Sequence, residues 1–112
     1  MQPIAKINLK KLRKNFNLIK DKVGNSKIYG VIKADAYGHG SVQIAKALFQ
    51  YGIDGFCVAH LQEIVQLRKS KIDLPILHLG CINSNMLDIF DEQTFCTINS
   101  VNDISVIHEY CL

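Results

Sequence analysis

Residues 27–60, "KIYGVIKADAYGHGSVQIAKALFQYGIDGFCVAH", decide how this chain folds. The segment "KIYGVIK" (27–33) is short and apolar through its centre, and it reads as a strand. In "SVQIAKALFQYG" (41–52) the apolar residues recur at helical spacing and Gly52 stands where a helix ends. "GFCVAH" (55–60) is a second strand. Strand, helix and strand in this order make a right-handed βαβ unit with parallel strands.

The plan continues to the end of the chain. The helical "LQEIVQLRKS" leads to a third strand, "LPILHLG" (74–80), then to a helix from about Ser84 to Phe90. A fourth strand, "FCTIN" (95–99), precedes a last helix, which Ser100 and Asp103 open as a capping box. Upstream, "PIAKI" suggests a short strand. "NLKKLRKNFNLIKDKVG" predicts a helix with Asn8 as N-cap, Gly24 at its end and Leu9, Leu12, Phe16, Ile19 and Val23 on one face. Strand centres near 30, 57, 77 and 97 and short apolar strands imply an α/β protein with a parallel sheet covered on both faces. Four units fit either a small doubly wound sheet or half of an eight-stranded barrel. A complete barrel needs about 250 residues, so the second choice means a chain that supplies only part of one.

Composition narrows the classes. Hydrophobic residues make up 48% of the 112, as in a globular domain, and no apolar run nears the roughly 20 residues of a membrane span. The N-terminus lacks a signal-peptide core, so a cytoplasmic protein with no membrane partner is expected. Eight of the thirteen Lys and Arg lie in the first 27 residues. Without aromatic or Gly-rich interleaving, they read as the solvated face of one helix and not as a nucleic-acid surface. Cys57, Cys81, Cys96 and Cys111 form no CxxC pair and read as packing residues.

The densest chemistry is "VIKADAYGHG" (31–40). Functional groups of parallel sheets gather at the carboxyl ends of strands, and Lys33 ends the first one. A lysine there serves as a charge for a phosphate or, when desolvated, as an amine that attacks an aldehyde. Ala34 and Ala36 leave room beside it, and Tyr37 offers a hydroxyl. Gly38 and Gly40 permit close backbone approach before a helix N-terminus that favours an anion.

Other patterns are weaker. "GHGSVQ" has Gln43 where a dinucleotide fingerprint needs glycine. Cys57-x-x-His60 and His78-x-x-Cys81 offer zinc-ligand types, but residues three apart on a strand face opposite ways, so no metal is expected. His39 and His108 lack partners at a telling spacing. Ser41 and Ser100 read as N-caps and not as nucleophiles.

"VIKADAYGHG" resembles the pyridoxal-phosphate attachment motif of the alanine racemases, and the similarity extends over essentially the whole chain. "INLKKLRKN" is similar to the family's opening pattern, with Asn8 in place of the usual acid. "GFCVAHLQEIVQLR" resembles its second strand and helix, keeping Glu63, Leu67 and Arg68, with Gln62 replacing a frequent glutamate. "LPILHLG" and "TINS" resemble its third and fourth strands.

The resemblance implies about half of a TIM (β/α)8 barrel. Residues 1–112 would be the N-terminal portion of the barrel domain, a leading helix plus about four βα units without the C-terminal β domain. It implies pyridoxal 5'-phosphate as cofactor, interconversion of L- and D-alanine for peptidoglycan, and a homodimer. Lys33 is then the catalytic lysine that carries the cofactor and acts as the base on one face of the substrate. Tyr37 is the contact to the cofactor phosphate. The family's opposing tyrosine and several other contacts would lie beyond Leu112, and Tyr29, Tyr51 and Tyr110 do not match that position. Such a chain is expected to be inactive alone. The alternative is a non-enzymatic, cofactor-binding or self-associating half-barrel module.

Overall fold

A computed structural model describes residues 2–112. The order is α1 (Leu9–Val23), β1 (Tyr29–Val31), α2 (Lys33–Tyr37), α3 (Ser41–Tyr51), β2 (Gly55–Val58), α4 (Leu61–Lys69), β3 (Ile76–His78), α5 (Ser84–Leu87), β4 (Thr94–Cys96) and α6 (Val101–Cys111). The caps read from sequence hold three of these helices at their ends. Asn8 Oδ1 accepts from Lys11 N–H at 3.1 Å, Gly24 and Gly52 end α1 and α3 at positive φ, and Ser100 and Asp103 cap α6 reciprocally.

The four strands pair in the order β1-β2-β3-β4, all parallel. This order never reverses, so right-handed crossovers put every helix on the same face, as in a barrel and unlike a doubly wound sheet. The register makes the two faces explicit. Gly30, Phe56, Ile76 and Thr94 form one row, and Val31, Cys57, Leu77 and Phe95 form the opposite one. The first row meets the helices, and Phe56 and Ile76 are fully buried in a core with Phe16, Ile44, Leu48, Ile64 and Leu67. The second row faces away from them, with Val31 and Phe95 about half exposed. Among the described residues helices cover one face of the sheet and the other is open.

Three local expectations also change. "PIAKI" forms no strand, having no partner to complete its backbone hydrogen bonds. On α1 only Phe16 is buried, while Leu9, Ile19 and Val23 stay exposed because the helix touches the core along a narrow line beside α3. The fifth helix stops at Leu87, with a tighter turn through Phe90. The basic residues of α1 are exposed, as a solvated face requires, and Arg13 lies over the Tyr51 ring at 5.4 Å.

Candidate functional site

Beyond Val31 the chain makes one last ladder bond, from Ile32 N–H to the Cys57 carbonyl at 3.0 Å, and then leaves the sheet. Exposure alternates from Val31, half exposed, to Ile32, buried, to Lys33, partly exposed. Lys33 thus reaches solvent at the carboxyl end of β1.

The next residues coil the wrong way. Ala34, Asp35 and Ala36 have φ of 53 to 55° and ψ of 39 to 47°, and Tyr37 has φ of 54°. These four non-glycine residues make one left-handed turn, which costs roughly 1–2 kcal/mol per residue against the right-handed form. Strain of this kind persists where its surroundings over-determine it. Here Ala36 N–H donates to the Ile32 carbonyl at 3.0 Å, and Gly40 N–H donates to the Asp35 carbonyl at 3.0 Å. His39 Nδ1 donates to the Ala36 carbonyl at 2.8 Å. Asp35 Oδ1 accepts from Ser41 N–H at 2.8 Å, and Glu63 Oε2 accepts from Ala34 N–H at 2.8 Å.

The turn thus fixes the two residues singled out in the sequence, Lys33 at its start and Tyr37, 69% exposed, at its end. Their small neighbours act differently from the expectation. Ala36 packs against the core instead of leaving space, and Asp35 already occupies the first free N–H of α3 that was read as an anion site. Ser41 is the first residue of α3 and is buried, with Gly40 at the cap, because the Asp35 carboxylate does the capping.

Two side chains of α4 carry geometry that spacing does not reveal. The other oxygen of Glu63, Oε1, accepts from Ala59 N–H at 2.9 Å and His60 N–H at 2.7 Å, at the carboxyl end of β2. Arg68 reaches the opposite edge of the sheet. Its guanidinium donates to the carbonyls of Ile72 and Leu74 at 2.7 and 2.8 Å and of Gln93 at 3.2 Å, and it pairs with Asp91 at 2.9 Å. A Glu three residues into a helix signals a cap, but its further reach needs the fold.

The cysteine and histidine patterns separate. Cys57 lies on the open face of the sheet and His78 on the helix face, as strand alternation requires. Burial raises the Cys57 thiol pKa, so it stays neutral. Cys81 and Cys111 are exposed, against their reading as packing residues. Among the described residues no group of three or more His, Cys, Asp or Glu comes together as a metal site. His78 is 1% exposed beside Phe90, and neither ring nitrogen has a hydrogen-bond partner. Burial, then the nearby His60, lower its pKa, with the Glu63 charge and the Gly80 backbone acting the other way.

A family model for the alanine racemase N-terminal domain matches residues 7–112. The chain belongs to the alanine racemase family. It is 52% identical over 82 residues to an alanine racemase of Clostridium kluyveri, a match covering 73% of this chain and 21% of that protein. With an alanine racemase of Streptococcus pyogenes it shares 42% over 87 residues, or 77% of this chain and 24% of that one. The solved alanine racemase of Clostridium difficile superposes with a TM-score of 0.83 at 41% identity, over 94% of this chain and 29% of that structure. The chain therefore spans less than a third of the length of these relatives. Its four βα units are about half of a TIM barrel of the alanine racemase type, which settles the choice between the two architectures. Among the described residues no helix is long and apolar enough to cross a membrane.

Proposed function

We propose that residues 1–112 are the N-terminal portion of the barrel domain of a pyridoxal-5'-phosphate-dependent alanine racemase, in which Lys33 attaches the cofactor and Tyr37 contacts its phosphate. The observation that carries this reading is the pinned left-handed turn at the carboxyl edge of the sheet. It holds an amine and a phenol, both reaching solvent, at its two ends. That donor set fits the group: an amine for an aldehyde and a hydroxyl for a phosphate oxygen.

Pyridoxal phosphate, when bound, makes the α-hydrogen of an amino acid acidic by drawing the electron pair into its ring. The chain's part is to present Lys33 Nζ on one face of the substrate Cα, where it removes or returns the proton. Racemisation also needs a proton donor on the other face. Tyr51 donates to the Leu9 carbonyl at 3.2 Å, and Tyr110 is engaged by Asp88, which raises its pKa. Tyr29 lies across Gly55, where an added Cβ would come within 2.7 Å of its ring. We assign the second group to another segment, in a cytoplasmic homodimer that completes the barrel and carries a C-terminal β domain.

The test is exchange of the α-hydrogen of alanine in deuterated water with pyridoxal phosphate present. Lacking the opposing group, the chain is not expected to racemise alanine alone, but it is expected to accelerate this one-sided exchange for one enantiomer over the free cofactor by on the order of a hundredfold, and Lys33→Ala to abolish the gain. An equal rate in Lys33→Ala would overturn the assignment of Lys33 as the base. Cofactor attachment with no exchange would favour the non-enzymatic module, to which the half-exposed Val31 and Phe95 give an apolar face.

A further inference from the structure

Two carboxylates stand at the same position of two βα units, the second and the fourth. Asp103 is the third residue of α6, and its Oδ2 accepts from Asn99 N–H at 2.7 Å and Ser100 N–H at 3.2 Å. Glu63 is the third residue of α4, and its Oε1 accepts from Ala59 and His60 in the same pattern. Aspartate is therefore long enough to cap a helix of this sheet. The additional methylene of Glu63 has a separate use. It brings the second oxygen, Oε2, to within 2.8 Å of the Ala34 nitrogen, across 29 residues of sequence.

Ala34 is the residue after Lys33 and the first of the left-handed turn. Its N–H belongs to the peptide group that follows the Lys33 Cα. Fixing that peptide fixes the direction in which the lysine stem leaves the backbone. The Glu63 carboxylate also holds the carboxyl ends of β1 and β2 at one point, so it ties the strained turn to the rigid strand beside it. Elsewhere the turn is tied to its own neighbours, through Ile32, Gly40, Ser41 and His39. Among the hydrogen bonds of the described residues, the Glu63 bond is the one that links it to a different βα unit.

We infer that Glu63 is a positioning residue for Lys33: its Oε2 holds the Lys33–Ala34 peptide and so aims the amine, apart from the helix-capping work of Oε1. This rests on the reading of Lys33 as the attachment residue. A reacting group displaced by about 1 Å loses up to a hundredfold in rate, so loss of the anchor has a measurable cost.

The informative variant is Glu63→Asp in the full chain, since Asp103 shows that aspartate preserves the cap. Three readouts are taken together: amide hydrogen exchange, the rate at which pyridoxal phosphate attaches to Lys33 (trapped with borohydride and mapped by peptide), and attachment at Lys10 and Lys14. The expected result is unchanged protection at Ala59 and His60, at least about tenfold faster exchange at Ala34, and about tenfold slower attachment at Lys33 alone. Glu63→Gln gives a second reading. Its single acceptor oxygen serves the cap and leaves an NH2 group facing Ala34 N–H, so it should slow attachment in the same way. Wild-type rates at Lys33 with Ala34 still protected would overturn the inference. So would a uniform loss of protection across the sheet, which marks a purely structural role. If the wild-type chain does not attach the cofactor at Lys33, it is the assignment of Lys33 that fails, and Ala34 exchange still reports whether the anchor exists.

Discussion

The two edges of this sheet are held by the same helix in opposite styles. At the carboxyl edge, Glu63 near the start of α4 gathers three N–H groups and restrains a turn that four non-glycine residues would not adopt alone. At the amino edge, Arg68 near the end of α4 gathers three carbonyls and Asp91 from the loops entering β3 and β4. One charged side chain per edge does the fastening, but the carboxyl edge stores more strain, with four consecutive left-handed residues against Lys71 alone at the amino edge, and Lys33 stands at its start. In barrels, chemistry belongs to the carboxyl edge and the amino edge serves stability.

The comparison is tested most severely at the amino edge. Arg68→Ala leaves carbonyls and a carboxylate without their donor, and should destabilise the chain by about 2–4 kcal/mol in a denaturant titration. Attachment of pyridoxal phosphate to Lys33 in the folded fraction should be unchanged. A slowed attachment in fully folded Arg68→Ala would blur the division between the edges.

His78 separates packing from chemistry within β3. Both its ring nitrogens are buried without partners, so His78→Leu should stabilise by about 1–2 kcal/mol. The sign of its pH dependence follows from the lowered pKa. The neutral ring's contribution is whole above the unfolded value near 6.5 and is lost as pH falls from there through the folded value. Wild-type stability should therefore decline below about pH 6.5 more steeply than that of His78→Leu, in melts recorded across the range.

Glycine placement distinguishes the two hands of helix. Lys46→Gly, on the exposed face of right-handed α3, should cost about 1 kcal/mol. Ala34→Gly, at φ of 53°, should be neutral or stabilising, because relief of strain offsets the added chain entropy. Equal losses in both would mean that residues 34–37 are not left-handed in solution.

The smallest effect concerns Asp91. Burial raises its pKa, but hydrogen bonds from Thr94 and Gln93 and the Arg68 charge outweigh this and hold it below the usual carboxylate range. Its contribution is whole above pH ~4 and fades as pH falls through the depressed value, so Asp91→Asn should flatten the acid limb of the stability curve.

Much of this architecture was legible because its signals are local. Apolar runs bounded by Gly52, Gly24 and the Ser100–Asp103 pair place the strands and caps within a few residues. Lys33 was legible from its place at a strand end and from the resemblance of its motif. The left-handed turn was not, since Ala disfavours positive φ, Asp tolerates it only as a single residue, and Gly38 and Gly40 lie beyond the turn. The roles of Glu63 and Arg68 were hidden for another reason. Their partners lie as far as 29 and 26 residues away, and only the sheet register brings them together. The exposed stripe of α1 misled because helical spacing shows which residues share a face, but not how much of that face a neighbour covers.

The central claim is that the strained carboxyl edge exists to present one lysine. Incubation with pyridoxal phosphate, borohydride reduction and peptide mapping tests it most directly. The account predicts a single phosphopyridoxyl adduct, on Lys33. An adduct spread over the exposed Lys10, Lys11 and Lys14 of α1, with none enriched at Lys33, would contradict it.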